Sequence, residues 1–249
     1  MSEFDLILLT GMIFGAAALY TSVGHAGASG YIAAMAIMGL TPDIMKPTAL
    51  ALNILVAGIA TARWTRNGRD LAWKALLPLV VCSVPAAFIG GAIQLSDQTY
   101  KILIGIVLLA AALKFLWQPR SGPGLQDTPP SIPVPAALAT GASVGLLSGL
   151  TGTGGGIFLS PMLVLFGWAG ARQTSGLTAP FILVNSMAAL AGNVAALKKL
   201  PAELPYFVVA VILGALLGTQ IGVRWVSTST LLRLLGVVLL IAAGKFLLT

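Results

Sequence analysis

The sequence predicts an all-α protein that crosses a membrane several times, and three observations support this. Of its 249 residues, 57% are hydrophobic and only 8% are charged, whereas soluble domains carry about 25% charged residues. The mean hydropathy of +0.97 excludes a water-soluble globular domain and a disordered chain. The apolar residues also form eight long stretches, namely 6–40, 48–64, 71–93, 99–117, 134–168, 176–197, 204–223 and 230–248.

The net charge of +7 indicates membrane topology rather than a nucleic-acid partner. The basic residues are sparse and lie at the ends of apolar stretches, with no basic patch interleaved with aromatics. The single cysteine, Cys82, excludes a disulfide scaffold and is interpreted as an apolar filler. Residues 1–5 lack the positive region of a cleavable signal peptide, so we expect the first stretch to be retained.

The chain has the pattern of an internal duplication. Residues 103–116 align with residues 234–247 at ten identical positions out of 14. Glycines and a threonine recur in the two halves at nearly the same separation along the chain. Gly24 pairs with Gly152 in this way, and Gly39 pairs with Gly167. The predicted domains are therefore a first membrane repeat, 1–117, a Pro/Gly-rich linker, 118–133, and a second membrane repeat, 134–249. Duplicated halves are common in secondary transporters.

The first stretch of each half is too long for one membrane helix. Stretches 6–40 and 134–168 would each extend about 52 Å as a helix, against a hydrocarbon core of about 30 Å. Glycines interrupt both near the middle, which predicts a Gly-broken helical hairpin or a pair of abbreviated spans, with short helices starting at Ala28 and Gly156. These glycines are Gly24, Gly27 and Gly30 in the first half, and Gly149, Gly152, Gly154, Gly155 and Gly156 in the second.

Five helical segments per half would invert the second repeat relative to the first. Counting basic residues then places nine in the cytoplasm and five outside, with the N-terminus periplasmic. A parallel arrangement of four plus four segments gives the same split, so charge leaves both open. The tryptophans favour inversion because all five then lie at the cytoplasmic interface. The basic residues expected outside are Lys46, Lys101, Lys198, Lys199 and Lys245.

The two glycine breaks are the candidate substrate site. Unwound backbone needs polar partners inside a membrane, and the N-termini of the two following helices would attract an anion. The alternative is that the glycines only let helices pack closely. The predicted substrate-binding residues are Ser22, Gly24, His25, Ala26, Gly27, Ala28, Asn53, Thr151, Gly152, Thr153, Gly154, Gly155, Gly156 and Asn185.

Several polar residues near the breaks have two interpretations. His25 either couples transport to protons, or contacts the anion once protonated, or donates a hydrogen bond to a freed carbonyl. Asn53 and Asn185 either contact substrate or satisfy the broken backbone. Thr48 and Thr178 are expected to cap the helices that carry these asparagines.

The acidic residues give little support for enzyme or metal chemistry. All seven lie in predicted loops or at a terminus, so no carboxylate is expected at mid-membrane. We predict no catalytic residue, no bound metal and no cofactor, and no phosphate-binding loop for ATP occurs. The acids are Glu3, Asp5, Asp43, Asp70, Asp97, Asp127 and Glu203.

The glycine motif resembles that of the TauE/SafE family of sulfite exporters, also described as the DUF81 membrane transporters. In the second half Gly152, Thr153, Gly154, Gly155 and Gly156 are followed by Pro161, Gly167 and Thr178; in the first, Gly24, His25, Ala26, Gly27 and Ala28 are followed by Gly39 and Thr48. The resemblance implies an inner-membrane permease for small anions such as sulfite, sulfonates or organic acids. The first half departs from the pattern at His25, Ala26, Ala28 and Ala33.

We therefore expect a secondary transporter that moves a small anion across the bacterial inner membrane by alternating access. The expected partners are that anion and the lipid bilayer, with no nucleic acid, and the sequence leaves a homo-oligomer open. The alternatives are a non-transporting membrane scaffold, in which the glycines serve packing alone, and an intramembrane enzyme with His25 as its base.

Overall fold

The chain is all-α in the part that the computed structural model describes, which comprises residues 2–22, 25–66, 71–117, 130–221 and 228–248. No strand occurs among these residues, so the predicted fold class is confirmed. Most of the predicted linker, residues 118–129, lies outside them. The helices are α1 Glu3–Ser22, α2 Ala28–Ile37, α3 Pro42–Arg66, α4 Trp73–Ala92, α5 Asp97–Leu116, α6 Val134–Thr151, α7 Gly156–Leu165, α8 Ala171–Gly192, α9 Leu204–Ile221 and α10 Thr228–Leu248, with a 3-10 helix, Val194–Lys199, after α8.

The described helices include full spans and half-length ones. Four of them, α1, α3, α4 and α6, are long and apolar enough to cross a membrane. Large apolar side chains such as Ile7 and Val81 point outward, as lipid contact requires. In contrast, α2 and α7 have 10 residues each, and about 15 Å of helix reaches halfway across the hydrocarbon core. The chain is a multi-pass membrane protein.

The predicted starts of the two short helices are confirmed, because α2 begins at Ala28 and α7 at Gly156. The expectation that both members of each pair are abbreviated is wrong. The first members, α1 and α6, have 20 and 18 residues. The sequence before each break is long enough to span by itself, so only the second member is short.

The predicted capping role of Thr48 and Thr178 is also wrong, since both lie inside helices. α3 begins at Pro42 rather than at the start of the apolar stretch. Proline suits the first helical position, and Asp43 in the first turn suits the positive helix end. The Thr178 hydroxyl donates to the carbonyl of Thr174, at 2.6 Å, within α8.

Helices α4 and α6 pack closely and in the same direction through a row of glycines. A Cβ added to any of these glycines would collide with the backbone of α4, which is the packing that glycines at four-residue spacing permit. The contacts advance by four residues along both helices, so the helices are parallel. In chain order, Gly141 faces Leu79, Gly145 faces Ser83 and Gly149 faces Ala87.

Other contacts fix the directions of further helices. α1 and α9 are parallel, since Gly214 and Gly218 of α9 face Phe14 and Ala18 of α1 in the same order. By contrast, α5 and α10 are antiparallel: Gly105 of α5 meets Leu247, near the end of α10, while Gly236, near its start, meets Leu116. α3 and α8 are antiparallel too, because the end of α3 at Trp64 meets Gly176 near the start of α8.

Helices at equivalent places in the two halves, α3 with α8 and α5 with α10, thus run in opposite directions. An inverted repeat requires this relation. The duplication itself stays a prediction.

The buried apolar residues form two main cores. The first joins α1, α2, α3 and α9, here called the first bundle, and α5 and α10 pack on it. The second joins α4, α6, α7 and α8, the second bundle. The Lys245 ammonium of α10 donates to the Ile37 carbonyl at the end of α2, at 2.9 Å. A cavity of about 380 Å³, lined by Lys114 and mostly apolar side chains, lies between the second half of α5 and helices α6 and α7 of the second bundle.

Candidate functional site

The second break, residues 152–155, is an unwound stretch between α6 and α7. Gly152, Gly154 and Gly155 have φ angles of 80°, 73° and 84°, in the left-handed region where other residues are strained. A Cβ at Gly154 would also collide with the Asn53 amide and lie 2.8 Å from the Ser186 hydroxyl. Glycine is therefore needed here for the backbone turn and for the close approach of two polar side chains.

Both short helices begin without a side-chain cap. The N-cap residue of α7 is Gly155 and that of α2 is Gly27, and neither helix has a side-chain hydrogen bond at its start. The first N–H groups of such a helix carry partial positive charge. The start of each short helix can therefore attract a negative group.

Buried polar side chains from three helices surround the second break. Asn53 of α3, Ser148 of α6 and Ser186 of α8 are completely buried. Asn53 Nδ2 donates to the carbonyl of Thr153 at 3.2 Å, so this nitrogen satisfies backbone that the break releases. Asn53 Oδ1 and the two serine hydroxyls have no hydrogen-bond partner in the described part of the chain. Leaving a buried polar atom unpaired costs about 1–3 kcal/mol, so these atoms point to a bound solute or water.

Asn185 has a different environment from Asn53, although the sequence pairs them. Its Nδ2 donates to Ser83 Oγ at 3.1 Å and to the carbonyl of Phe181 at 2.8 Å. The Asn185 nitrogen thus joins α8 to α4 within the second bundle. Its Oδ1 is buried with no partner among the described residues.

Hydroxyl groups hold the end of α6 at the second break. The Thr151 hydroxyl donates to the carbonyl of Leu147 at 2.7 Å and lies 2.9 Å from the Thr153 hydroxyl. The Tyr100 hydroxyl donates to the carbonyl of Thr151 at 2.8 Å. These bonds fix the backbone on the side of the break that faces α5.

The first break has a different geometry. Gly24 lies outside the described residues, and Gly27 has a φ of −100°, which is not a left-handed value. The ring of Tyr31 lies directly over Gly27, and the Tyr20 hydroxyl lies 2.5 Å from that of Ser29. Tyrosines therefore cover the described part of this break, in which Ala26 and Ala28 are buried.

His25 connects the first break to α7. Its Nε2 lies 2.6 Å from the Ser160 hydroxyl. Ser160 in turn donates to the carbonyl of Gly156, at 2.9 Å, and lies 3.2 Å from the Thr178 hydroxyl. The Ser22 hydroxyl instead turns back to the carbonyl of Leu19, at 2.6 Å, on its own helix. The described residues thus bring His25 beside the second break but do not aim Ser22 at it.

Lys46 lies beside the second break, although the sequence does not single it out as a site residue. The sequence assigns it only to the outer side of the membrane, and the structure places it inside α3, where it is only 7% exposed. Its Cγ would be 3.0 Å from a Cβ at Gly152, so it packs against the second break. The segment of Thr41, Pro42 and Asp43 has the pattern of a helix start, and it could have placed Lys46 inside α3.

A cavity of about 450 Å³ lies next to Lys46. It is formed where α3 and α5 begin, α4 ends and the 3-10 helix follows α8. Asp43 at its rim pairs with Lys199, at 3.3 Å. The acids of the described part lie at or beside helix starts, as Asp97 of α5 does, and none of the break residues described above is acidic.

The sequence profile described as "Sulfite exporter TauE/SafE" matches residues 7–246, nearly the whole chain. The chain belongs to the TauE/SafE family. The resemblance inferred from the glycine motif is confirmed.

A curated relative agrees with the TauE/SafE assignment. "Probable membrane transporter protein y4hK" of Sinorhizobium fredii is 41% identical over 246 residues, which cover 98% of this chain and 99% of that protein. No solved structure matches the chain significantly. As a TauE/SafE protein, the chain is a membrane transporter, which implies a small-molecule substrate and a lipid environment.

Proposed function

We propose that this TauE/SafE protein is a secondary transporter that carries a small anion across the bacterial inner membrane by alternating access. The observation that carries the proposal is the second break. Three glycines there have left-handed φ angles and interrupt the helix. Buried, unpartnered oxygens of Asn53, Ser148 and Ser186 surround it. A solute that fits among them would supply the missing hydrogen bonds.

Electrostatics at the breaks favour a negative solute. The uncapped start of α7 at Gly155 presents N–H groups to the second break. His25 brings the first break to Ser160, within the first two turns of α7. Helix starts stabilise an anion without a full positive charge at the site.

The polar groups around the second break suit an oxyanion that also has a donor group or a bound water. Serine hydroxyls such as that of Ser186 can donate to sulfite, sulfonate or carboxylate oxygens. The unpartnered oxygen of Asn53 can only accept, so it suits a hydroxyl, an ammonium or a water carried with the anion. Sulfite, organosulfonates and related organic acids are the proposed substrates, and the name of the matching family supports sulfite among them.

The proposed topology has a periplasmic N-terminus and inverted repeats. The opposite directions of α3 and α8, and of α5 and α10, support inversion. In this orientation the cavity at Lys46 opens on the periplasmic side, because α3 begins there.

Flux measurements on a glycine pair test the proposal. In proteoliposomes loaded with sulfite or sulfoacetate, we expect the wild-type protein to move the anion and Gly154→Ala to abolish movement. The Cβ that this substitution adds would be strained at φ 73° and would collide with Asn53. The matched control is Gly58→Ala, because a Cβ there meets nothing within 4 Å.

Two results would count against the proposal. Wild-type protein that is folded but moves no anion would favour the scaffold alternative. Full flux in Gly154→Ala would show that the solute binds elsewhere.

A further inference from the structure

The cavity beside Lys46 has a buried positive charge in its wall. Its lining includes Lys46 and Tyr100, together with the amide side chains of Gln94 and Asn193. The Lys46 side chain is 7% exposed, although one end of the cavity reaches the surface residues Asp43 and Lys199. Most lysines keep the ammonium group in water, so this placement needs a reason.

No carboxylate of the described residues forms an ion pair with Lys46, although Asp43 and Asp97 also line the cavity. Lys46 Nζ has no Asp or Glu oxygen within 4 Å in the described part of the chain, and Asp43 is bound to Lys199. The partners of Lys46 Nζ are the carbonyls of Gly90, Gly91 and Ile93, at 3.3, 3.2 and 3.4 Å. These bonds exceed the usual charge-assisted length of about 2.7–2.9 Å. A buried cation held only by long bonds to carbonyls is a good partner for an anion.

Lys46 also forms the wall between this cavity and the second break. Its Cα and Cγ would lie 3.2 and 3.0 Å from a Cβ at Gly152. Tyr100 contributes to the same wall, since it lines the cavity and donates to the carbonyl of Thr151. An anion in the cavity is therefore one residue layer from the unwound glycines.

We propose that the cavity is a binding site for a small oxyanion and that Lys46 is the residue that selects for negative charge there. The anion replaces one of the carbonyls as a partner of Lys46 Nζ. It then lies between Lys46, Tyr100 and the amide groups before it reaches the second break. This inference rests on the proposed anion transport, and it adds a charged selection step to a site that otherwise uses backbone and uncharged side chains.

The alternative role of Lys46 is a cap for the end of α4. Capping requires donors for the carbonyls but no full charge, so a glutamine could retain it in part. Lys46→Gln therefore separates the two roles, and Lys46→Arg keeps the charge. Lys74→Gln is the matched control, since Lys74 is exposed near the other end of α4.

We expect Lys46→Gln to raise the KM for sulfite about tenfold or more, as loss of a buried charge partner does. The kcat and the melting temperature without anion should change much less. Sulfite should raise the melting temperature of the wild type and of Lys46→Arg, but not that of Lys46→Gln. The Lys74→Gln control should behave as the wild type.

An unchanged KM and an unchanged sulfite effect on melting in Lys46→Gln would overturn this inference while leaving anion transport intact. Failure of the wild type itself to move any anion would instead overturn the proposed function.

A second experiment restores the charge in protein that has already folded. Lys46→Cys is made in a Cys82→Ser chain and treated with aminoethyl or sulfonatoethyl methanethiosulfonate. We expect the aminoethyl reagent, which adds a positive charge, to restore flux, and the sulfonatoethyl reagent to leave it low. Equal flux after both reagents would contradict a charge requirement at this position.

Discussion

The imidazole of His25 and the hydroxyl of Ser160 lie 2.6 Å apart, although 135 residues separate them in the chain. This contact joins the first break to the helix that follows the second. We expect this contact to link proton binding at His25 to the position of α7.

We expect His25→Gln to keep transport but to weaken its pH dependence, because histidine can take up a proton and glutamine cannot. Glutamine can still hydrogen-bond to Ser160 but cannot take up a proton. Flux measured at several pH values in proteoliposomes tests this. Complete loss at every pH, with the protein folded, would instead support an essential base at His25.

We expect anion flux to depend more on the charge of the side chain at position 53 than on its size. Asn53→Asp places a carboxylate beside the second break, so anion flux should fall at least about tenfold through like-charge repulsion. Asn53→Ala removes the bond to Thr153 and should lower stability by about 1–3 kcal/mol. Flux and melting temperature of the two variants separate these effects. Normal flux in Asn53→Asp would remove Asn53 from the site.

The packing of α6 on α4 should depend on the absence of a side chain at Gly145. In Gly145→Ala the new Cβ would meet the backbone of Ser83, and such overpacking costs about 1–3 kcal/mol. Thermal unfolding in detergent should show the loss. Gly15→Ala on α1 is the control, because a Cβ there has nothing within 4 Å. Equal melting temperatures of Gly145→Ala and the wild type would mean that α4 and α6 can move apart to admit the methyl group with no loss of stability.

The inverted arrangement predicts that the chain ends outside the cytoplasm. A reporter that is active only in the periplasm should be active when it is fused after Thr249 and silent when it is inserted after Arg66. Alkaline phosphatase activity, with expression checked by immunoblot, measures this. A silent C-terminal fusion in well-expressed protein would support the parallel arrangement.

The positions of the breaks could be predicted from sequence because the causes are local. Glycines such as Gly152 and Gly155 interrupt a run too long for one span, so the start of α7 at Gly156 follows. The break itself needs no knowledge of neighbouring helices.

The set of side chains around the second break depends on tertiary packing, so it could not be predicted from the local sequence. Asn185 and Ser186 are adjacent on α8 and are both completely buried, so periodicity cannot tell which one faces Gly154. Ser186 does, while the Asn185 nitrogen binds Ser83. The burial of Lys46 could not be predicted either, because it depends on where α4 ends, at the carbonyls of Gly90 and Gly91.

Helices α5 and α10 pack more extensively on the first bundle than on the second, and this difference has an energetic consequence. These helices pack on the first bundle, where Lys245 binds Ile37. Helix α5 touches the second bundle through the bond from Tyr100 to Thr151, and farther along α5 the cavity lined by Lys114 lies between the helix and that bundle. If the two bundles are copies, packing of α5 and α10 against either bundle would have a similar free energy. In the proposed alternating-access cycle, only a few contacts would then set the ratio of the two conformers, and a solute with a modest difference in affinity for them could reverse it.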